Sequence, residues 1–329
     1  MTVSAEQELV RRHGRDAGAA LRLAEPLAKH TSFRIGGPAD LLLTATSVEL
    51  LCAFLASAAE IGVPVTVLGG GTNVLVSDRG VRGLVVRLGR EFEYRRWVIE
   101  GGGESVVAGD TALLEVGAAA RLARVVADAV LRGYGGIEFA AGIPGSVGGG
   151  ALMNAGAFGG ELGTVIDFIE GVSRGGERRR LVRTELEFSY RKLALPVDVV
   201  VTSVRFRLSR SPAAKLRASV QEVQAKRRGR QPSGFPNAGS IFKNPAGEFA
   251  GRLIEQAGLK GTTVGKAQVS PDHANFIVNL GGARAEDVRD LMSLVQGAVW
   301  RRSGVWLEPE VRLVGDWDDA APSRSEAQE

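Results

Sequence analysis

The sequence predicts an α+β protein of three successive mixed units. One observation is the alternation, along most of the chain, of short β-rich pieces with helices whose caps and apolar stripes can be read directly. A second is glycine. There are 44 among 329 residues with no G-X-Y period, which implies many special backbone positions in a globular chain. A third is the concentration of those glycines in two loops. Residues 142–161 (GIPGSVGGGALMNAGAFGGE) hold eight in twenty with little charge, and residues 68–78 (LGGGTNVLVSD) form a second such loop.

The elements follow in order. Residues 1–21, with Arg11, Arg12 and Arg15, read as a polar extension, partly helical at best. Residues 46–59 read as a helix, with Thr46 and Glu49 matching a capping box, Leu50, Leu51, Phe54 and Leu55 forming the apolar stripe and Gly62 ending it. Residues 63–68, 74–76 and 84–88 are β-rich, so a small unit spans 22–89. Residues 91–117 mix β-rich pieces with turns, including Gly101–Gly102–Gly103. A helix is expected over 118–131 with Gly133 beyond it, then strands near 165–169 and 199–208, giving a unit over 90–210. Ser211 and Pro212 suit a helix start, as N-cap and first helical position, for a helix running to Arg228 and stopping at Gly229. Further helices are expected over 248–257 and 285–302, closed by Gly258 and Gly304, and a last strand over 305–314 completes a unit at 211–315. Residues 316–329 read as a solvated, disordered tail.

Composition narrows the function. The 41 basic and 37 acidic residues give a net charge of +4, which suits anionic small molecules and gives no case for nucleic acid. Cys52 is the sole cysteine, and His13, His30 and His273 share no ligand spacing, so neither a disulfide nor a metal site is expected. No secretory-type apolar core opens the sequence, and no run approaches the ~20 apolar residues of a membrane span. A cytoplasmic protein with no membrane partner is expected.

The glycine loops ask for a large anionic or flat ligand approached by backbone N–H groups, which suggests a long phosphate-bearing cofactor. Neither loop is a Rossmann fingerprint. Gly69–Gly70–Gly71 runs on into Thr72–Asn73–Val74–Leu75–Val76, which is β-like, and no Gly-Lys-Ser/Thr of a P-loop occurs. From the residues alone the reading is a nucleotide-like cofactor in a non-Rossmann fold.

Longer motifs then make a specific resemblance. HTSFRIGGPAD at 30–40 is followed by LGGGTNVLVSDRGVRGLVVRL at 68–88 and GIEFAAGIPGSVGGGALMNAGAFGGE at 136–161. FSYR at 188–191, NAGSIFKNP at 237–245, AQVSPDHANFIVN at 267–279 and LEPEVRLVG at 307–315 complete the set. Over residues 22–315 the chain resembles the UDP-N-acetylenolpyruvoylglucosamine reductase (UDP-N-acetylmuramate dehydrogenase) family of peptidoglycan precursor synthesis. The resemblance implies a two-part FAD-binding region of the vanillyl-alcohol-oxidase/PCMH type plus a separate α/β substrate-binding domain that closes over the flavin. It implies bound FAD, NADPH as reductant, UDP-N-acetylglucosamine enolpyruvate as acceptor and a monomer.

By the same resemblance, Gly69, Gly70, Gly71, Thr72 and Asn73, with Gly142, Ile143, Pro144, Gly145, Ser146, Gly148 and Gly149, match FAD-binding segments, and Arg34 and Asn154 join them. For Arg34 a salt bridge beneath the Gly36–Gly37 turn is the competing reading. The family reaction delivers hydride to the enolpyruvyl terminus, leaving charge to be shared with the carboxylate and a carbon to be protonated. Ser240 corresponds to the proton donor. Arg191 would pair with the carboxylate through its planar fork, and Glu310 matches the remaining catalytic position, with Glu308 its nearest rival. Tyr190, Lys243 and Asn244 are candidate substrate contacts. The run Lys226–Arg227–Arg228–Gly229–Arg230 reads either as a diphosphate contact or as a solvated helix end.

Two departures stand out. Leu193 occupies a position where the family shows serine. The 49 positions from Arg191 to Ser240 leave no room for a tyrosine-bearing lid loop, which places the chain in the subclass lacking it. Two rivals remain at this stage: another flavin oxidase, and a non-catalytic nucleotide-binding relative. The oxidases lack the GSIFKNP serine and the LEPEV glutamate in this order, and a non-catalytic relative would bind flavin without electron transfer.

Overall fold

In the computed structural model, residues 4–98, 110–228, 232 and 234–317 are described; the Gly101–Gly103 turn and residues 318–329 lie outside them. The chain divides into two compact units. One comprises Met1–Arg22, Leu41–Gly70 and Gly83–Gly229, and the other Leu23–Asp40, Gly71–Arg82 and Arg230–Glu329.

The first unit begins with helix α1 (Ala5–Ala17), where the sequence suggested only partial helicity. Ser4 and Gln7 close a reciprocal capping box (3.2 and 3.0 Å), and the buried Leu9 joins a core built on Leu51, Phe54 and Leu55. His13 Nε2 lies 2.7 Å from Ser57 Oγ, and Arg12 pairs with Glu60. The polar surface that the sequence displays is therefore the outer face of a packed helix.

Helix α2 (Val48–Ile61) starts one residue later than the capping-box motif suggested. Ser47, not Thr46, is the N-cap, and its Oγ accepts from Leu50 N. Glu49 then sits one position short of the reciprocal role and pairs with Arg178 instead. Gly62 ends the helix at φ +75°, as expected. The strand Val65–Val67 pairs in parallel with Val81–Leu88, and Leu68 N donates to Val86 O just before the first glycine loop.

The larger sheet of this unit has the order Arg178–Val182, Ile166–Ser173, Val199–Arg210, Thr111–Gly117, Arg95–Val98. Helix α3 (Leu122–Leu131) is shorter than expected. The carbonyls of Ala118 and Ala120 accept from Gly148 N and Val147 N, which holds 118–121 extended beside the second glycine loop and postpones the helix. Helix α4 (Val147–Leu152) follows that loop, and helix α5 (Ala213–Arg228) packs Val223 into the same core as Phe206 and Leu208.

The second unit has an antiparallel sheet of order Asn237–Ser240, Phe276–Asn279, Ala267–Val269, Thr263–Val264, with helices α6 (Ala250–Gln256) and α7 (Ala285–Ser303). Asp78 caps α7 from a remote loop, its carboxylate accepting from Ala285 N (2.9 Å) and Glu286 N (3.2 Å). The expected strand over 305–314 is regular only at Arg312–Val314, which pairs in parallel with Val74–Val76. Pro309 makes an isolated bridge to Phe242 and has no N–H with which to continue a ladder.

If α1 is part of the folded core, Leu9→Ala should cost about 2–5 kcal/mol in denaturant unfolding, the range for truncating a fully buried leucine. An unchanged midpoint would mean that the helix contributes nothing to the fold.

Candidate active site

The first unit brings the two glycine loops together. A Cβ on Gly70 would lie 3.0 Å from Gly145 Cα and 3.1 Å from Ser146 N, and one on Gly69 would lie 3.1 Å from Ser146 Oγ. The contact is backbone on backbone. Among the described residues, no acceptor is bonded to the N–H groups of Gly69, Gly70, Gly145 or Ser146. Ser146 is buried. Its side chain caps α4 by accepting from Gly149 N, while Gly148 packs on Ala118 and Ile143 N donates to Ala140 O. Gly142 and Gly145 have φ of +84° and +114°. Pro144 is an exposed link between them.

Asn154 is fully buried and bridges two segments of this unit. Its Nδ2 donates to Ser189 O (3.0 Å) and its Oδ1 accepts from Gly163 N (2.8 Å). Ser189 belongs to the hairpin Glu187–Ser189/Lys192–Ala194, whose two-residue turn is Tyr190–Arg191. The Arg191 guanidinium lies 4.9 Å from the centroid of the exposed Tyr190 ring. Leu193, set against Phe188 across the hairpin, is buried in the unit's core and serves packing.

The second unit assembles Ser240, Glu310 and Asn73. Glu310 N donates to Ile241 O (2.7 Å), one residue past Ser240. Asn73 Nδ2 donates to Glu310 O (3.0 Å). Asn275 holds the segment after Ser240 in place, exchanging amide bonds with Phe242 N and O (3.0 and 2.8 Å) while its own carbonyl accepts from Ile241 N. Gly239 precedes the serine at φ +79°. Glu308 is exposed and paired with Lys243 (3.2 Å), whereas Glu310 is half-buried. Asn244 Oδ1 accepts from Ala250 N at the start of α6. Ser240 and Asn244 line a cavity of about 340 Å³ together with Lys260, His273 and Asn275. The sequence reading passed over Lys260 and His273, because their approach to Ser240 depends on the pairing of Asn237–Ser240 with Phe276–Asn279.

In the same unit, Gly71 and Gly37 touch backbone directly: a Cβ on either would collide with the carbonyl oxygen of His30 or of Asp78, respectively. Thr72 is half-buried between Gly71 and Asn73. Arg34 is exposed at φ +55°, and among the described residues no ion pair beneath the Gly36–Gly37 turn involves it. No group of His, Cys, Asp and Glu that could hold a metal ion occurs among the described residues. No helix there is long and apolar enough to cross a membrane.

Comparison with known proteins bears on both units. Residues 39–180 match the sequence model of an FAD binding domain, and residues 231–314 match that of the C-terminal domain of UDP-N-acetylenolpyruvoylglucosamine reductase. The chain is similar to UDP-N-acetylenolpyruvoylglucosamine reductase 2 of Symbiobacterium thermophilum, with 46% identity over 92% of this chain and 94% of the relative. It is also similar to the enzyme of Agathobacter rectalis, at 44% identity over 89% and 93%. A solved structure, the UDP-N-acetylenolpyruvylglucosamine reductase of Thermus caldophilus, superposes with a TM-score of 0.74 at 38% identity, covering 89% of this chain and 98% of that one.

Replacing Gly70 by alanine should separate the two loops and lower the melting temperature of the ligand-free protein, because the new Cβ would press on the Gly145–Ser146 backbone. Unchanged melting in a thermal scan would mean that the loops part without cost.

Proposed function

The chain belongs to the UDP-N-acetylenolpyruvoylglucosamine reductase family, and from that premise we propose how its own residues carry the reaction. It is a FAD-dependent oxidoreductase that reduces the enolpyruvyl group of UDP-N-acetylglucosamine enolpyruvate in peptidoglycan precursor synthesis, with NADPH as reductant.

The residues fit FAD on the first unit's own evidence. The N–H groups of Gly69, Gly70, Gly145 and Ser146 lie where the loops meet, without acceptors among the described residues, and a diphosphate supplies acceptors of the right charge. Bound FAD supplies hydride transfer, from NADPH to the terminal carbon of the enolpyruvyl group.

Ser240 holds the proton. Its Oγ protonates the carbon next to the carboxylate, a role open to a hydroxyl only beside a strongly basic centre in a positioned site. Arg191 binds the carboxylate, its permanent charge and planar fork stabilising the negative charge that develops there. Glu310 polarises the same carboxylate or orients the donor. Its exposed rival, Glu308, is occupied by Lys243, so the half-buried Glu310 is the better candidate. The cavity lined by Ser240, Asn244, Lys260 and His273 is the place we assign to part of the sugar nucleotide. We assign Asn154 a positioning role: by tying Ser189 to Gly163 it fixes the hairpin that presents Tyr190 and Arg191.

The observation that carries this reading is the construction of the second unit's site, in which Asn73, Ile241 and Asn275 pin the backbone on either side of Ser240 and Glu310. Ser240→Ala should leave reduction of the flavin by NADPH intact and slow reoxidation by the sugar nucleotide on the order of 10²–10⁴-fold in anaerobic stopped flow. Equal loss in both half-reactions would remove the serine from proton transfer. Asn154→Ala should likewise spare the first half-reaction, but raise the KM for the sugar nucleotide together with a fall in kcat. A variant slowed only in flavin reduction would place Asn154 elsewhere in the mechanism.

A further inference from the structure

Arg227 lies near the C-terminal end of α5, outside the spans 39–180 and 231–314 that match the two family domains. Its Nε and Nη1 are shut off from solvent and have no hydrogen-bond partner among the described residues. The chain runs close to Gly142, where an added Cβ would meet Arg227 Cδ at 3.3 Å and Nε at 3.7 Å. The guanidinium stem therefore lies along the first residue of the loop whose other end, Gly145–Ser146, carries the unbonded N–H groups. Neighbouring Lys226 is committed elsewhere, to Glu222 and to the face of Phe158 (5.7 Å).

A guanidinium with buried donors, and no carboxylate beside it among the described residues, is costly in isolation, and an anion is what removes the cost. Burial acts alone on this group and pulls its pKa down, a direction that an adjacent anion would oppose. The surface reading of a basic helix end accounts for Lys226 and fails for Arg227, whose Nε and Nη1 are buried.

We propose that Arg227 is a cofactor-binding residue, its guanidinium donating to a negatively charged oxygen of bound FAD. The inference rests on the FAD-dependent function above. The oxygen belongs either to the diphosphate or to the pyrimidine edge of the flavin ring, whose negative charge grows on reduction. Both sources present the same chemistry to Arg227, and they differ in measurable ways.

The test titrates apoprotein with FAD and with riboflavin, following flavin fluorescence, and measures the midpoint potential by spectroelectrochemistry for wild type, Arg227→Met and Arg227→Lys. Arg227→Met should bind FAD at least tenfold more weakly, and Arg227→Lys should recover most of that loss. A diphosphate contact predicts unchanged riboflavin affinity and potential. A contact to the ring predicts weaker riboflavin binding and a more negative potential, by about 30 mV for each tenfold loss of preference for the reduced form. Arg227→Gln replaces the methionine variant if the latter does not fold. Variants with wild-type FAD affinity and potential overturn the proposal, as does a defect confined to the KM for the sugar nucleotide. Wild-type protein that takes up no FAD would instead overturn the parent reading of function.

Discussion

The rest of the structure depends on close approach of backbone to backbone along residues 69–80. In the first unit, a Cβ on Gly70 would crowd the Gly145–Ser146 backbone and one on Gly69 the Ser146 hydroxyl. In the second unit, Gly71 abuts His30, Gly37 abuts Asp78, and Gly80 abuts Pro38. The same run of chain then supplies Asn73 to Glu310, Val74–Val76 to the Arg312–Val314 strand, and Asp78 to the start of α7. Glycine at these positions is a steric requirement before it is a ligand-binding one. The two demands coincide because backbone stripped of side chains both packs closely and leaves its N–H groups accessible.

Backbone strain falls mostly on candidate site residues. Five non-glycine residues have positive φ among the described residues: Ala24, Arg34, Asn154, Phe158 and Arg191. Three of them are residues singled out for binding or catalysis. An arginine in the left-handed region costs about 1–2 kcal/mol relative to its ordinary conformation. At Arg191 that cost falls at the second position of the two-residue hairpin turn Tyr190–Arg191, and Tyr190 before it does not share the positive φ. Asn154 tolerates its own φ of +41° better than most residues, and its buried amide spends both hydrogen-bonding ends holding the hairpin. Strain in one residue is thus held by satisfied hydrogen bonds in another.

Much of this was legible in the sequence, and the remainder was hidden for identifiable reasons. Gly62, Gly258 and Gly304 close helices because a left-handed C-terminal residue is a local demand. Ser47 displaced Thr46 as N-cap because two adjacent hydroxyl residues offer the same local chemistry, and tertiary packing of Leu51 and Phe54 chose between them. α1 looked like a polar extension because its one deeply buried side chain, Leu9, is a weak pattern among charged neighbours. The motifs carried Ser240 and Glu310, whereas Lys260, His273 and the two ends of the Asn154 amide depend on contacts between distant segments. Arg227 was ambiguous for the same reason: a basic run at a helix end does not disclose which of its side chains turns inward.

The second unit's site also constrains how the chain must fold. The bond from Asn73 to Glu310 spans 237 positions, and that from Phe242 to Asn275 spans 33. Closing such loops costs entropy that grows with separation. Ser240 and Glu310 therefore acquire their environment together with the folded sheet, not from a preformed local turn. A serine hydroxyl is a poor acid in water, so the proton-donor role proposed for Ser240 rests on groups contributed by remote segments. The environment of Ser240 is accordingly a property of the assembled unit, with Asn73, Asn275 and Glu310 contributed from separate segments of it.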